Sequence, residues 1–274
     1  MTIPAARPGF ALELAGHRFT LRSDDPAWAR RIRARYEGFL LSDLPAPKDA
    51  FEIEVATGRA VRSADLESEL REPFAVSRRA DRLQLHGAQF AAEADLALRR
   101  ASVSGPPFTY PVDALLRQLL AHLLDDGLLI HAALLLDGER QAFVASGPSG
   151  CGKSTLAGLL PEQAAADELV AVRLPPAGPP MAYGLPFWKG RPRQAPLAGV
   201  HLLRHAPACA RTRLDPAAAL RRVAPEVLWP AGPEAAVGAR LDLLADLIAR
   251  VPVWDLGFRP HPEVWETIAA EEVA

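Results

Sequence analysis

Cysteine, methionine and tyrosine are scarce in this sequence, at 2, 2 and 3 residues, and no apolar run approaches the length of a membrane span. So few cysteines exclude a disulfide-stapled scaffold. One of the pair, Cys151, stands in a glycine-rich loop where a disulfide would obstruct a ligand, so both thiols are expected to be free, as in a reducing compartment. An excess of charge is missing too. Lys and Arg total 31 against 33 Asp and Glu, a formal charge of -2, so no general basic field draws the chain to nucleic acid or an anionic membrane. The first residues, MTIPAARPGF, lack the apolar core of a signal peptide. The expectation is a cytoplasmic protein with neither nucleic acid nor membrane as partner.

What is present is 49% hydrophobic residues over a 274-residue chain, enough for one large domain or two modest ones. The most informative stretch is Gly147 to Thr155, G-P-S-G-C-G-K-S-T. It fills the P-loop pattern G-x-x-x-x-G-K-[ST] through Gly147, Gly152, Lys153 and Ser154, with Pro148, Ser149, Gly150 and Cys151 between the glycines. Glycine lets the backbone turn tightly and approach an oxygen closely, so that successive N–H groups converge on a phosphate. Lys153 would lie along the β- and γ-phosphates and Ser154 would offer a hydroxyl to Mg2+. A helix beginning there would add the positive end of its dipole. Gln141 to Ser146 reads as a strand entering the loop, and Leu156 to Leu160 as an apolar helix leaving it.

Residues 1–107 read as a separate strand-rich α+β unit closed by Ser104-Gly105-Pro106-Pro107. Phe10-Leu14 and Arg18-Leu21 form a hairpin around Ala15-Gly16. Asp25-Pro26 caps a helix with Trp28, Ile32 and Tyr36 on one face. Its other faces carry Arg30, Arg31, Arg33 and Arg35, read as a solvated basic surface. Phe51-Val55, Phe74-Ser77, Arg82-Leu85 and Gln89-Ala92 are further strands. None of these residues suggests catalysis.

The second unit, 108–274, opens with a helix from Pro111 whose leucine stripe should pack against a sheet. Leu128 to Leu136 then reads as one central strand buried on both faces and interrupted by His131. An isolated histidine there is usually a satisfied core group, yet a side chain beside the loop strand can face the same ligand. After the loop helix, Asp167 and Glu168 stand immediately before a strand, so that one carboxylate reaches the site while the other flanks it. Such acids hold Mg2+ or accept a proton from an attacking hydroxyl. Leu174 to Pro196 reads as a long loop whose Tyr183 to Gly190 segment suits contact with a substrate or base. His201, His205 and Cys209 recur every four residues, but they fall on a strand and a Pro-containing turn rather than on one helix face. Pro216-Val223, Glu234-Arg250 and a segment from Pro262 read as helices, and Leu197-Leu203 and Pro252-Leu256 as strands.

The order of His131 in IHAALLL, the loop GPSGCGKST and the acids in ADELVAV resembles the catalytic domain of the bacterial HPr kinase/phosphorylase family. Its shorter relatives, HPr-kinase-like serine kinases, are the nearer likeness through YGLPFWKG, PLAGVHLLR and VPVWDLGF. The resemblance covers about residues 110–260. It implies an α/β P-loop kinase domain of the HPr kinase and phosphoenolpyruvate carboxykinase type, with ATP and Mg2+ as cofactors. Asp167 would then be the base, Lys153 and Ser154 the phosphate and Mg2+ ligands with Asp167 and Glu168 beside the metal, and His131 a neighbour of the phosphates. The family's R-G-L-G-I segment, tied to phosphorolysis, is not recognisable. The expected partner is a serine-bearing peptide or small protein, as for relatives that modify ribosomally made peptides, and the full-length family members form homo-oligomers. A nucleotide sensor without catalysis and a small-metabolite kinase are the alternatives.

Overall fold

The computed structural model describes residues 9–58, 74–138 and 140–270. It is mixed α/β and divides into two compact units, Met1–Leu123 with Ala231–Pro233, and Leu124–Pro230 with Glu234–Ala274.

In the first unit, β1 (Gly9–Leu14) and β2 (His17–Ser23) form the expected hairpin. Its turn places Ala15 and Gly16 at φ 49 and 83, the paired positive values that a two-residue turn needs to match strand twist. The helix α1 (Pro26–Arg35) begins where Asp25 accepts from the N–H groups of Ala27 and Trp28. Trp28, Ile32 and Tyr36 are buried, each side chain worth about 1.5–3 kcal/mol of apolar burial. The strands β3 (Phe51–Thr57), β4 (Ala75–Arg79), β5 (Arg82–His86), β6 (Ala91–Asp95) and β7 (Arg100–Gly105) complete a mixed sheet in the order β1-β2-β3-β7-β6-β5-β4.

The helix expected to open the second unit belongs instead to the first. This helix, α2 (Tyr110–Leu123), lies against β6 and β7, so the division falls after Leu123 rather than at residue 107. Arg35 and Tyr36 both donate to Asp113 of α2. Burial pushes that carboxyl above its ordinary range despite the Arg35 charge.

The second unit holds β8 (Gly127–Ile130), β9 (Ala132–Asp137), β10 (Gln141–Ser146), α3 (Lys153–Leu159), β11 (Ala164–Ala166), β12 (Val170–Arg173), β13 (Met181–Gly184), β14 (Gln194–His205), β15 (Ala210–Arg213), α4 (Pro216–Val223), α5 (Glu234–Arg250), β16 (Val253–Phe258) and α6 (Val264–Ala269). The mixed sheet runs β11-β9-β10-β14-β13-β12-β8, and β16 pairs with β14 and β15. Residues of one parity on β9, such as Leu134 and Leu136, pack with α4 and α5; Ala133 and Leu135 pack on the opposite face with α3 and α6. Covering on both faces explains the nearly unbroken apolar run.

Three details depart from the sequence reading. The run from Leu128 to Leu136 is two strands, because the chain breaks at His131 and β8 pairs with β12 while β9 pairs with β10. Residues 174–196 are not a continuous loop, since β13 pairs with β12 and β14. The strands β7 and β15 were not anticipated. Among the described residues no helix is long and apolar enough to cross a membrane.

Candidate functional site

Three parallel strands end together at the glycine-rich loop. Ser146 of β10 registers with Leu202 of β14, which registers with Asp255 of β16. The chain leaves β10 through Gly147, Gly150 and Gly152, at φ 142, 82 and 108, a region that other residues enter only with strain. Position 152 is closed to a side chain on contact grounds as well, since a Cβ there would lie 2.7 Å from the Phe258 ring. The loop is buttressed from β14: His205 Nε2 donates to the Gly150 carbonyl at 3.0 Å, and its ring stacks on Phe258. That contact escaped the sequence reading, which took His205 only as one of three spaced metal-ligand types. The signal was its place at the carboxyl end of a strand parallel to the loop strand.

Lys153 is buried, and its ammonium donates to the carbonyls of Gly147 and, at 3.2 Å, Pro148. The Cys151 sulfur lies 3.9 Å from the same ammonium, and Cys151 and Cys209 are free thiols. Ser154 and Thr155 are exposed on the first turn of α3. That helix is only 7 residues long, so its dipole offers an anion less than the sequence reading supposed, and the groups at the loop that could hold one are Lys153 and the loop N–H groups.

The acid pair stands between β11 and β12. The Ser154 hydroxyl lies near the Asp167 carboxyl, whose Oδ1 is buried without a hydrogen-bond partner. Burial pushes this carboxyl above its usual value. The nearby Ser154 hydroxyl and the charges of Lys189 and Lys153 oppose the rise, and neighbouring Glu168 adds to it. Glu168 is half-buried, and its carbonyl accepts from Ala132 at 3.2 Å.

His131 is at the corner where β8 gives way to β9. Its side chain is half-exposed, with Nδ1 3.6 Å from Glu226 Oε2, rather than a core group. Its carbonyl accepts from the Ser146 hydroxyl at 2.8 Å, which ties the corner to the last residue before the loop. His131, Gly147 to Thr155, Asp167 and Glu168 are thus linked through neighbouring strand ends. His201 is separate: it is fully buried on β14, beside Phe143, and neither ring nitrogen has a hydrogen-bond partner.

The segment after β13 also reaches this region. The Arg191 N–H donates to the Ala165 carbonyl at 2.8 Å, two residues before Asp167. Trp188 and Lys189 both have φ 56, which costs about 1–2 kcal/mol for each L-residue. Phe187, the residue before them, has no exposed surface. Gly190 is required next, because a Cβ there would come within 1.5 Å of the Leu185 carbonyl oxygen.

Among the described residues no three His, Cys, Asp or Glu side chains gather into a group that could hold a metal alone. Mg2+ beside a nucleotide asks for less: one or two protein oxygens, the remainder from phosphate and water. Ser154 and the orphaned oxygen of Asp167 fit that demand. A hollow lies elsewhere, on the open face of the first unit's sheet. There Arg82, Asp95, Arg100 and Glu52 face one another across the strands, and a ladder of alternating charge satisfies itself. No protein-family model matches the chain, and neither does any curated protein.

Proposed function

We propose that the chain is a P-loop kinase of the HPr-kinase-like kind, transferring the γ-phosphoryl group of ATP to a serine hydroxyl of a peptide or small protein. The observation that carries the reading is the nearness of Ser154 and Lys153, from the glycine loop, to Asp167, whose Oδ1 is buried and unpartnered. A glycine-rich turn alone would require neither the lysine nor the acid.

In this reading the Lys153 ammonium exchanges the Gly147 and Pro148 carbonyls for the β- and γ-phosphate oxygens. The loop N–H groups hold the β-phosphate from the other side. Mg2+ bound at Ser154 and the acid pair would neutralise charge on the β- and γ-oxygens. The acceptor hydroxyl oxygen forms a bond to the γ-phosphorus as the bond from that phosphorus to the β,γ-bridging oxygen breaks. The electron pair stays with ADP, and the hydroxyl proton passes to Asp167. Burial favours this last step, because a carboxylate held above its usual pKa is a better base.

The test is transfer of label from γ-labelled ATP, with Mg2+, to serine-bearing peptides encoded beside the gene. Asp167→Asn should lower transfer by about 10²–10⁴ while nucleotide affinity stays within a few-fold, and Lys153→Met should lose nucleotide binding. An Asp167→Asn protein that transfers as fast as the parent overturns the assigned base.

A further inference from the structure

We propose that Lys189 is a second phosphate-binding lysine, supplied by the tip of the β13–β14 connection, and that it reads the terminal phosphoryl group of the nucleotide. The inference rests on the kinase reading above and adds to it a residue that the loop motif does not contain.

Three observations place Lys189 in this role. The first is the tie from Arg191 to Ala165, which brings the tip alongside the acid pair. Gly184 strengthens it, since a Cβ there would lie 2.8 Å from the same Ala165 carbonyl oxygen. The second is the tip's conformation. Successive left-handed residues that are not glycine persist only where their surroundings over-determine them. Here buried Phe187 and the obligatory Gly190 do so, and the outcome is a Trp188 that is 45% exposed and an exposed Lys189. The third is the setting of the ammonium. It lies 6.0 Å from the centre of the Trp188 ring rather than in an ion pair with a described carboxylate, and an indole face steers an ammonium without neutralising it.

The same region holds the buried, unpartnered oxygen of Asp167 and the hydroxyl of Ser154. The charge of a Mg2+ ion at that position would already be offset by the two carboxylates, so a terminal phosphoryl group seated there carries more negative charge than Lys153 alone can balance. Phosphoryl transfer is promoted mainly by positioning and charge neutralisation, so a second cation on the acceptor side meets a real deficit. Lys189 also opposes the rise in the Asp167 pKa, which is the electrostatic trace of its proximity.

The contact is to the terminal phosphoryl group, so it separates ATP from ADP. Calorimetric titration of the full chain with Mg2+ and either ADP or the β,γ-imido analogue of ATP reads it without knowledge of the acceptor. The parent should prefer the triphosphate. Lys189→Met should reduce that preference by about tenfold or more and leave ADP affinity unchanged; Lys189→Arg, which keeps the charge, should largely restore it. A Lys189→Met protein that keeps the parent's preference, or a parent that shows none, overturns this proposal alone. A parent that binds neither nucleotide overturns the kinase reading and this one together.

Discussion

His205 Nε2 donates to the Gly150 carbonyl oxygen at 3.0 Å, so the end of β14 props the glycine loop from the adjacent strand. A neutral hydrogen bond of this kind contributes about 0.5–1.5 kcal/mol. His205→Ala should therefore weaken binding of the Mg2+ complex of the imido-ATP analogue several-fold, with little change in the thermal unfolding midpoint. Unchanged affinity would mean that the loop holds its shape without the prop.

In the proposed kinase, Asp167 would link stability and function in opposite directions. Burial raises its carboxyl pKa in the folded state, so the fold disfavours the ionised form. That penalty is absent below the ordinary carboxylate range and grows as pH rises through the shifted value. Asp167→Asn should accordingly unfold at a higher temperature than the parent at neutral pH, with the difference vanishing in acid. Transfer by the parent should rise with pH along the same limb, because only the ionised form accepts the proton. A less stable Asp167→Asn protein at neutral pH would contradict the burial argument.

His201 predicts an acid sensitivity of the second unit. Burial, with the nearby Arg211 charge, lowers its pKa to about 3. The unfolded chain takes up a proton near the ordinary value of about 6.5, so stability is intact above that value and is lost as pH falls toward 3. By pH 4.5 the loss should amount to about 2–3 kcal/mol. Urea unfolding at pH 7 and pH 4.5 should show His201→Leu losing less stability between the two than the parent. Equal losses would assign the acid sensitivity to other groups.

Gly190 tests the tip of the β13–β14 connection. Gly190→Ala forces a Cβ onto the Leu185 carbonyl, so the backbone must shift and carry Trp188 and Lys189 away from their left-handed geometry. Proteolytic cleavage between residues 185 and 193 should become faster, while the urea midpoint moves much less than for a core substitution. Cleavage at the parent's rate would show that the tip tolerates the shift.

The sequence made some of these elements legible and hid others for identifiable reasons. Asp25-Pro26 announces α1, and Ala15-Gly16 announces the hairpin, because caps and turns are chemistry between near neighbours. The glycine loop, Lys153, Ser154 and the acid pair are legible for the same reason. The break at His131 is not: neither glycine nor proline marks it, and the apolar run continues on both sides. The strand β7 was masked by Ser104-Gly105-Pro106-Pro107, whose turn signal overlaps its end, and β13 by the prolines around it. The contribution of α2 to the first unit depends on partners such as Arg35 that are distant in the chain. His205 reaches the loop only through strand pairing, which no local window contains, whereas Lys189 stands within Tyr183 to Gly190, the segment whose sequence already suits contact with a ligand.

The corner at His131 is held by main-chain atoms: its carbonyl receives the Ser146 hydroxyl, and the next N–H, that of Ala132, donates to the Glu168 carbonyl. Peptide groups are common to every residue type, so most of this bracing is indifferent to which side chains occupy His131, Ala132 and Glu168. The scaffold of the site is thus separable from its reagents. A chain can exchange much of its sequence around such a corner while the few side chains that the proposed reaction assigns to phosphate and proton keep their relative places.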